Sequence, residues 1–147
     1  MIALLQRLDS ASVYINQEEY NSINKGILVF LGIDKNDSIN DIQYIVDKMI
    51  HLRIFNDKNQ KMNLSIQDIS GEILLISQFT LLANTKRGRR PSFIDSADPK
   101  SAAQLYNIFI DELEKNNLII KTGQFGAMMD IKLTNNGPAT FILNSQI

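Results

Sequence analysis

The sequence predicts an α/β fold: a mixed β-sheet with two main helices on one face and a second, antiparallel β layer. Three observations predict it. Residues 26–33 (GILVFLGI) and 71–79 (GEILLISQF) are apolar at nearly every position, as strands covered on both faces are. Each is followed by a stretch whose apolar residues recur at helical spacing, which lays helices over a sheet face. The C-terminal part of the chain returns to strand patterns, and these supply the second layer.

Taken in order, residues 2–8 and 12–16 read as two short strands joined by a polar turn. Residues 26–33 are the first buried strand. From Ser38 to about Leu52 the period becomes helical, with Ile42, Ile45, Val46, Met49 and Ile50 on one stripe, Ser38 as N-cap and Asp41 in the first turn. His51 lies off that stripe and is expected on the surface. Residues 55–63 (FNDKNQKMN) are turn-like, and 71–79 form the second buried strand. The second helix opens with Asp98 as N-cap and Pro99 at its first position, and carries Ala102, Leu105, Phe109 and Leu113 on one face. Residues 127–134 alternate, Met129, Ile131 and Leu133 against Asp130, Lys132 and Thr134, and 139–143 form a last strand.

A chain of 147 residues with 44% hydrophobic and 21% charged positions suits one globular domain, 1–147. No apolar run is long enough to span a bilayer, and MIALLQRLDS has no signal-peptide pattern, so a cytoplasmic protein without membrane attachment is expected. The chain has no cysteine and one histidine. Thiolate nucleophiles, cysteine-ligated zinc and histidine-rich metal sites are excluded, and neither metal nor cofactor is expected. Net charge is −1, so Lys86, Arg87, Arg89 and Arg90 form a local positive concentration in a neutral background.

Three stretches could carry chemistry. Ser77, Gln78, Phe79 and Thr80 read either as a strand end with satisfied hydroxyls or as a reaction site. A nucleophilic Ser or Thr needs a base, and none lies nearby in sequence; backbone N–H groups at a strand end could instead hold an oxyanion. The basic loop is either a solvated face or, with Gly88 splitting two basic pairs and Pro91 stiffening the exit, a seat for phosphates. Gly137-Pro138 in TNNGPATFIL is either a turn or a cis peptide whose carbonyls form a pair of acceptors for an ammonium group.

Together, LLQRLDSASV (4–13), HLRIFNDKNQKMNLS (51–65), GEILLISQFTL (71–81), KRGRRPSF (86–93), TGQFGAMMDIKL (122–133) and NNGPATF (135–141) resemble the D-aminoacyl-tRNA deacylases in order and spacing along nearly the whole chain. The resemblance implies a cytoplasmic homodimer that hydrolyses the ester between a D-amino acid and the terminal adenosine of tRNA, and glycyl-tRNA mischarged on alanine tRNA. It implies that Phe79 and Thr80 supply oxyanion-binding backbone and that Gln78 and Phe79 line the adenosine pocket, with Ser77, Phe125 and Met129 in support. It implies that the partner's Gly137 and Pro138 exclude L side chains by clash, that Arg7 orients that dipeptide, and that the ribose 2′-hydroxyl assists the attacking water. Lys86, Arg87, Arg89 and Arg90 would grip the RNA backbone of the acceptor end. The sequence departs from the family pattern at Ile2, Gln60, Asn136 and Ala139. The competing reading is a non-catalytic nucleic-acid-binding protein that uses the basic loop.

Overall fold

A computed structural model describes residues 1–146. The first strand, β1 (Ile2–Ile15), is continuous over 14 residues and is not the expected pair of short strands. Asp9 and Ser10 are exposed and polar, yet the chain does not turn there, because the last strand of the chain pairs with β1 on either side of the step, Leu8 with Asn135 and Ser10 with Thr134. One edge of β1 is shared by β2 (Glu18–Ile23), which meets Ala11 to Ile15, and β3 (Gly26–Gly32), which meets Ile2 to Leu8. Helix α1 (Ile39–His51) follows, then a separate small hairpin of β4 (Phe55–Asn56) and β5 (Met62–Leu64). Strand β6 (Glu72–Ser77) lies parallel to β3, and helix α2 (Pro99–Glu114) leads to β7 (Ile119–Thr122), parallel to β6. A long final strand, β8 (Asp130–Asn144), runs antiparallel along the other edge of β1. The sheet order is β2-β1-β3-β6-β7 with β8 on β1.

The unbroken apolar runs are explained by two cores. Ile27, Val29, Leu31, Ile73 and Leu75 point to the helices and pack with Ile42, Ile45, Met49, Phe109 and Leu113. Leu28, Leu74 and Ile76 point the other way, onto Leu8, Ala11, Val13 and Ile23, with Phe30, Ile131 and Leu133 partly buried around them. The expected antiparallel layer is therefore present as the far half of β1 with β2 and the start of β8, joined to the first layer through the β1 ladder. Where β3 and β6 pass, the backbones approach closely: a Cβ on Gly26 would lie 1.8 Å from the Glu72 carbonyl oxygen.

Both helices start where their caps indicate. The Ser38 N–H and hydroxyl donate to Asp41 Oδ2 at 2.8 and 2.7 Å. Asp98 Oδ1 accepts from the Lys100 and Ser101 amides, both at 3.1 Å. His51 is exposed in the last turn of α1, its Nδ1 2.9 Å from the Asp47 carbonyl. The buried face of α2 is Tyr106, Phe109 and Leu113, while the expected Ala102 and Leu105 are half-buried. Tyr106 takes the inner position because its hydroxyl has a partner there, donating to the Leu75 carbonyl at 2.9 Å. Strand β7 was not foreseen. The segments 127–134 and 139–143 fall within a single strand from Asp130 on, with Gly137-Pro138 inside it.

Candidate active site

The β6 strand runs out at Ser77. Gln78 makes the last ladder-like bond, its N–H donating to the Leu31 carbonyl at 2.7 Å. Its ψ of 79° then turns the chain into a 3-10 turn, Phe79–Leu82, so that Phe79, expected as the last residue of the strand, opens the turn instead. The first bond of that turn runs from Leu81 N–H to the Gln78 carbonyl at 3.2 Å. Bonds of this kind span three residues, so the N–H groups of Phe79 and Thr80 have no carbonyl to reach. Neither donates to a backbone acceptor among the described residues. Two adjacent unspent donors at an exposed strand end are suited to negative charge that develops on a carbonyl oxygen. The Gln78 side-chain amide donates to Thr80 Oγ1. That bond occupies a lone pair on the hydroxyl oxygen, and no base hydrogen-bonds it among the described residues, an arrangement for a donor more than for a nucleophile.

Beside this turn lies a cleft of about 400 Å³, with Leu31, Ser77 and Gln78 in its floor and Phe79, Phe93 and Phe125 in its walls. Phe79 is 56% exposed and meets Phe93 edge-on, with centroids 5.0 Å apart at 67°. Phe125 leans on Tyr106 at 5.5 Å. Burial pushes the Tyr106 phenol well above its ordinary pKa, so it remains a neutral donor that ties α2 to β6 behind the cleft. An apolar slot between aromatic rings with a polar end fits a flat heterocycle bearing a reactive polar tail.

Gly137-Pro138 is elsewhere. Gln6 faces Thr140 and Leu8 faces Asn135, so residues 136–139 stand opposite Arg7 alone and loop out of the ladder. The Gly137-Pro138 bond is cis, and both residues are exposed. Arg7 is 6% exposed beneath them. Its Nε donates to the Asn136 carbonyl at 2.9 Å, and its Nη1 to the Ile54 carbonyl at 2.7 Å and to Asn56 Oδ1 at 3.4 Å. Gly137 has φ +136°, and a Cβ there would lie 2.7 Å from Arg7 Nη2, so glycine answers both the backbone angle and the guanidinium below it. The dipeptide does not line the cleft of its own chain.

The basic loop, residues 84–92, is closed by Asn84 and Ser92, whose N–H and carbonyl groups pair at 2.8 and 3.0 Å. Gly88 sits at its tip with φ +69° and open space around it. Lys86, Arg87, Arg89 and Arg90 are exposed and form no ion pair among the described residues. Phe93, one residue past the loop, is a cleft wall, so the positive arm and the cleft adjoin in the chain.

Residues 4–144 match the family described as D-Tyr-tRNA(Tyr) deacylase. The chain belongs to that family. It is 51% identical to a D-aminoacyl-tRNA deacylase of Thermodesulfovibrio yellowstonii over 99% of this chain and 100% of that one. It is 48% identical to a protein of the same description from Thermosipho melanesiensis, over 99% of this chain and 98% of that one. Among solved structures it resembles one titled c-Myc DNA Unwinding Element Binding Protein, with a TM-score of 0.94, 37% identity and full coverage of both chains.

The site residues expected from the family resemblance fall in three places on the deacylase fold. Ser77, Gln78, Phe79 and Phe125 border the cleft, while Thr80, next in the chain after Phe79, is exposed and does not line it. Arg7, Gly137 and Pro138 come together across β1 and β8, and the four basic residues share one loop. Met129 is the exception. It does not line the cleft but packs on the second core, its Sδ 2.5 Å from where a Cβ on Gly123 would stand. Three residues escaped the sequence reading: Phe93 and Ala97 in the cleft wall, and Asn56 beside Arg7. Phe93 is an aromatic residue directly after a basic loop, the one signal of the three. No cluster of three or more His, Asp or Glu side chains able to hold a metal occurs among the described residues. No helix among them is long and apolar enough to cross a membrane.

Proposed function

We propose that this chain hydrolyses D-aminoacyl-tRNA, releasing a free D-amino acid and tRNA, and does so as a cytoplasmic homodimer. The carrying observation is the Gly137-Pro138 loop: two exposed residues held over a buried arginine, away from the cleft of their own chain. In a symmetric dimer each copy's loop enters the other's cleft, and the two become one site. The terminal adenine takes the slot between Phe79 and Phe125. Water attacks the ester carbonyl, and the oxyanion that forms is held by the Phe79 and Thr80 N–H groups. The ester C–O bond then breaks; the attacking water's proton passes to the departing ribose oxygen, with the 2′-hydroxyl orienting the water. The loop carbonyls hold the α-ammonium, and an L side chain would collide with the dipeptide. Glycine has no side chain to exclude, which extends the activity to glycyl-tRNA on alanine tRNA.

Lys86, Arg87, Arg89 and Arg90 grip phosphates of the acceptor end. A second reading, a non-catalytic nucleic-acid-binding protein, is favoured by these four exposed cations alone. One comparison separates the two: D-tyrosyl-tRNA, its L counterpart and a terminal 2′-deoxy analogue, each incubated with the protein. Hydrolysis of the D ester, sparing of the L ester and slow loss of the deoxy ester are expected. Salt-dependent binding with all three esters intact would leave only the binding protein.

A further inference from the structure

Residues 136–139 leave the β1–β8 ladder, and a strand segment that loops out has backbone groups to satisfy elsewhere. Two of them are met by side chains that flank the loop. Arg7 Nε takes the Asn136 carbonyl at 2.9 Å, and the Ala139 N–H donates to Asn135 Oδ1 at 2.7 Å. Asn135 uses the other end of the same amide: its Nδ2 donates to Thr140 Oγ1 at 3.0 Å, an oxygen that also accepts from Gln6 Nε2 on β1 at 3.4 Å. One half-buried side chain therefore joins the residue before the loop to the last residue of the loop and to the residue after it. Ala139 itself is buried, which fixes the exit of the loop against the protein while Gly137 and Pro138 remain outside. On the entry side the Asn136 side-chain amide reaches Asp9 Oδ1 at 2.8 Å.

From this geometry we infer that Asn135 is a positioning residue: through the Ala139 N–H and the Thr140 hydroxyl it sets the height and direction of the Gly137-Pro138 dipeptide. This inference rests on the proposed role of that dipeptide in selecting D-aminoacyl esters. Arg7 supports the loop from below, and Asn135 closes it from the side. The two act on different backbone groups, the Asn136 carbonyl and the Ala139 N–H. Asp can keep the Ala139 bond, and the Thr140 hydroxyl can turn to donate to it. Ala can do neither.

The test compares wild type, Asn135→Ala and Asn135→Asp for the ratio of D- to L-tyrosyl-tRNA hydrolysis, for melting temperature, and for hydrogen exchange at the Ala139 amide. A backbone N–H that loses its acceptor corresponds to about a tenfold effect on a property that depends on it. The D-to-L ratio should fall by about that factor in Asn135→Ala and return in Asn135→Asp, with Ala139 exchange fast in the first and slow in the second. An unchanged ratio in Asn135→Ala, or equal loss in both variants in step with melting temperature, overturns the inference. A wild type without D-ester turnover sinks the proposed function instead, and Ala139 exchange still decides whether Asn135 holds the loop.

Discussion

Replacing Arg7 by methionine removes every donor beneath the dipeptide while keeping most of the unbranched stem. Two short bonds are lost, to the Ile54 carbonyl at 2.7 Å and the Asn136 carbonyl at 2.9 Å, with a longer one to Asn56. Hydrogen bonds from a charged donor are worth about 1.5–3 kcal/mol each. Against that, no carboxylate forms an ion pair with Arg7 among the described residues, so deleting the guanidinium also removes an uncompensated buried charge and its desolvation cost. The net loss should be about 2–4 kcal/mol. For a chain of this size that lowers the melting temperature by roughly 5–15 °C. Thermal melts of wild type, Arg7→Met and Arg7→Lys measure it, alongside D-tyrosyl-tRNA hydrolysis at a temperature where all three are folded. Lysine, a single ammonium without the planar fork, cannot span both carbonyls and should fall between the others. If Arg7→Met melts within about 1 °C of wild type, water replaces the guanidinium at no cost and the account of its burial is wrong.

Gly137→Ala places a Cβ against Arg7 Nη2 at φ +136° and should cost about 1–3 kcal/mol. Combined with Arg7→Met the two losses should be less than additive in urea melts, since the second substitution removes the atom the first one strikes. Gly26→Ala drives a Cβ into the Glu72 carbonyl 1.8 Å away, parting β3 from β6, and should cost about 4 kcal/mol or more; soluble protein with wild-type circular dichroism and melting would contradict the pairing. Acid stability has a defined sign. Bonds from Ser101, side chain first and then backbone, lower the Asp98 carboxyl, and the Ser65 N–H, followed by its hydroxyl, lowers Asp68. Folded values below the unfolded value mean that this stabilisation is complete above about pH 4 and is lost as pH falls through the folded values. The urea midpoint should decline there, and less steeply in Asp98→Asn, which keeps a cap without a titrating group.

The parts of the fold that the sequence disclosed are those set by local rules. Residues 26–33 and 73–76 are apolar throughout because each is covered on both faces, and α1 and α2 combine a clear period with caps that hold in three dimensions. What it concealed depends on partners far along the chain. Asp9 and Ser10 look like a turn, but β8 pairs with Leu8 before them and with Ser10 and Ala11 after, which carries β1 on through an irregular step. Tyr106 sits four residues after Ala102, at core spacing, and is recognisable as core only once the Leu75 carbonyl is seen to take its hydroxyl. Strand β7 has four residues, and half of them are exposed. At the site, the Ser77–Thr80 stretch and the dipeptide were visible by family resemblance. That Arg7 lies directly beneath residues nearly 130 positions later is a fact of strand pairing, which no local pattern carries.

Between Gln6 and Ser10 the first strand spends three residues, and between Thr140 and Thr134 the last one spends five. The excursion itself adds three, four residues of β8 against Arg7 alone, and Asp9, without a partner on β8, returns one, so the net surplus is even. Side chains alternate with period two, so both halves of β8 still send odd-numbered residues inward, Ile131 and Leu133 on one side of the excursion and Phe141 and Leu143 on the other. A net surplus of one or three would have turned half of that strand inside out. The length of the projecting loop is thus tied by parity to the one extra residue at Asp9 on the strand it faces.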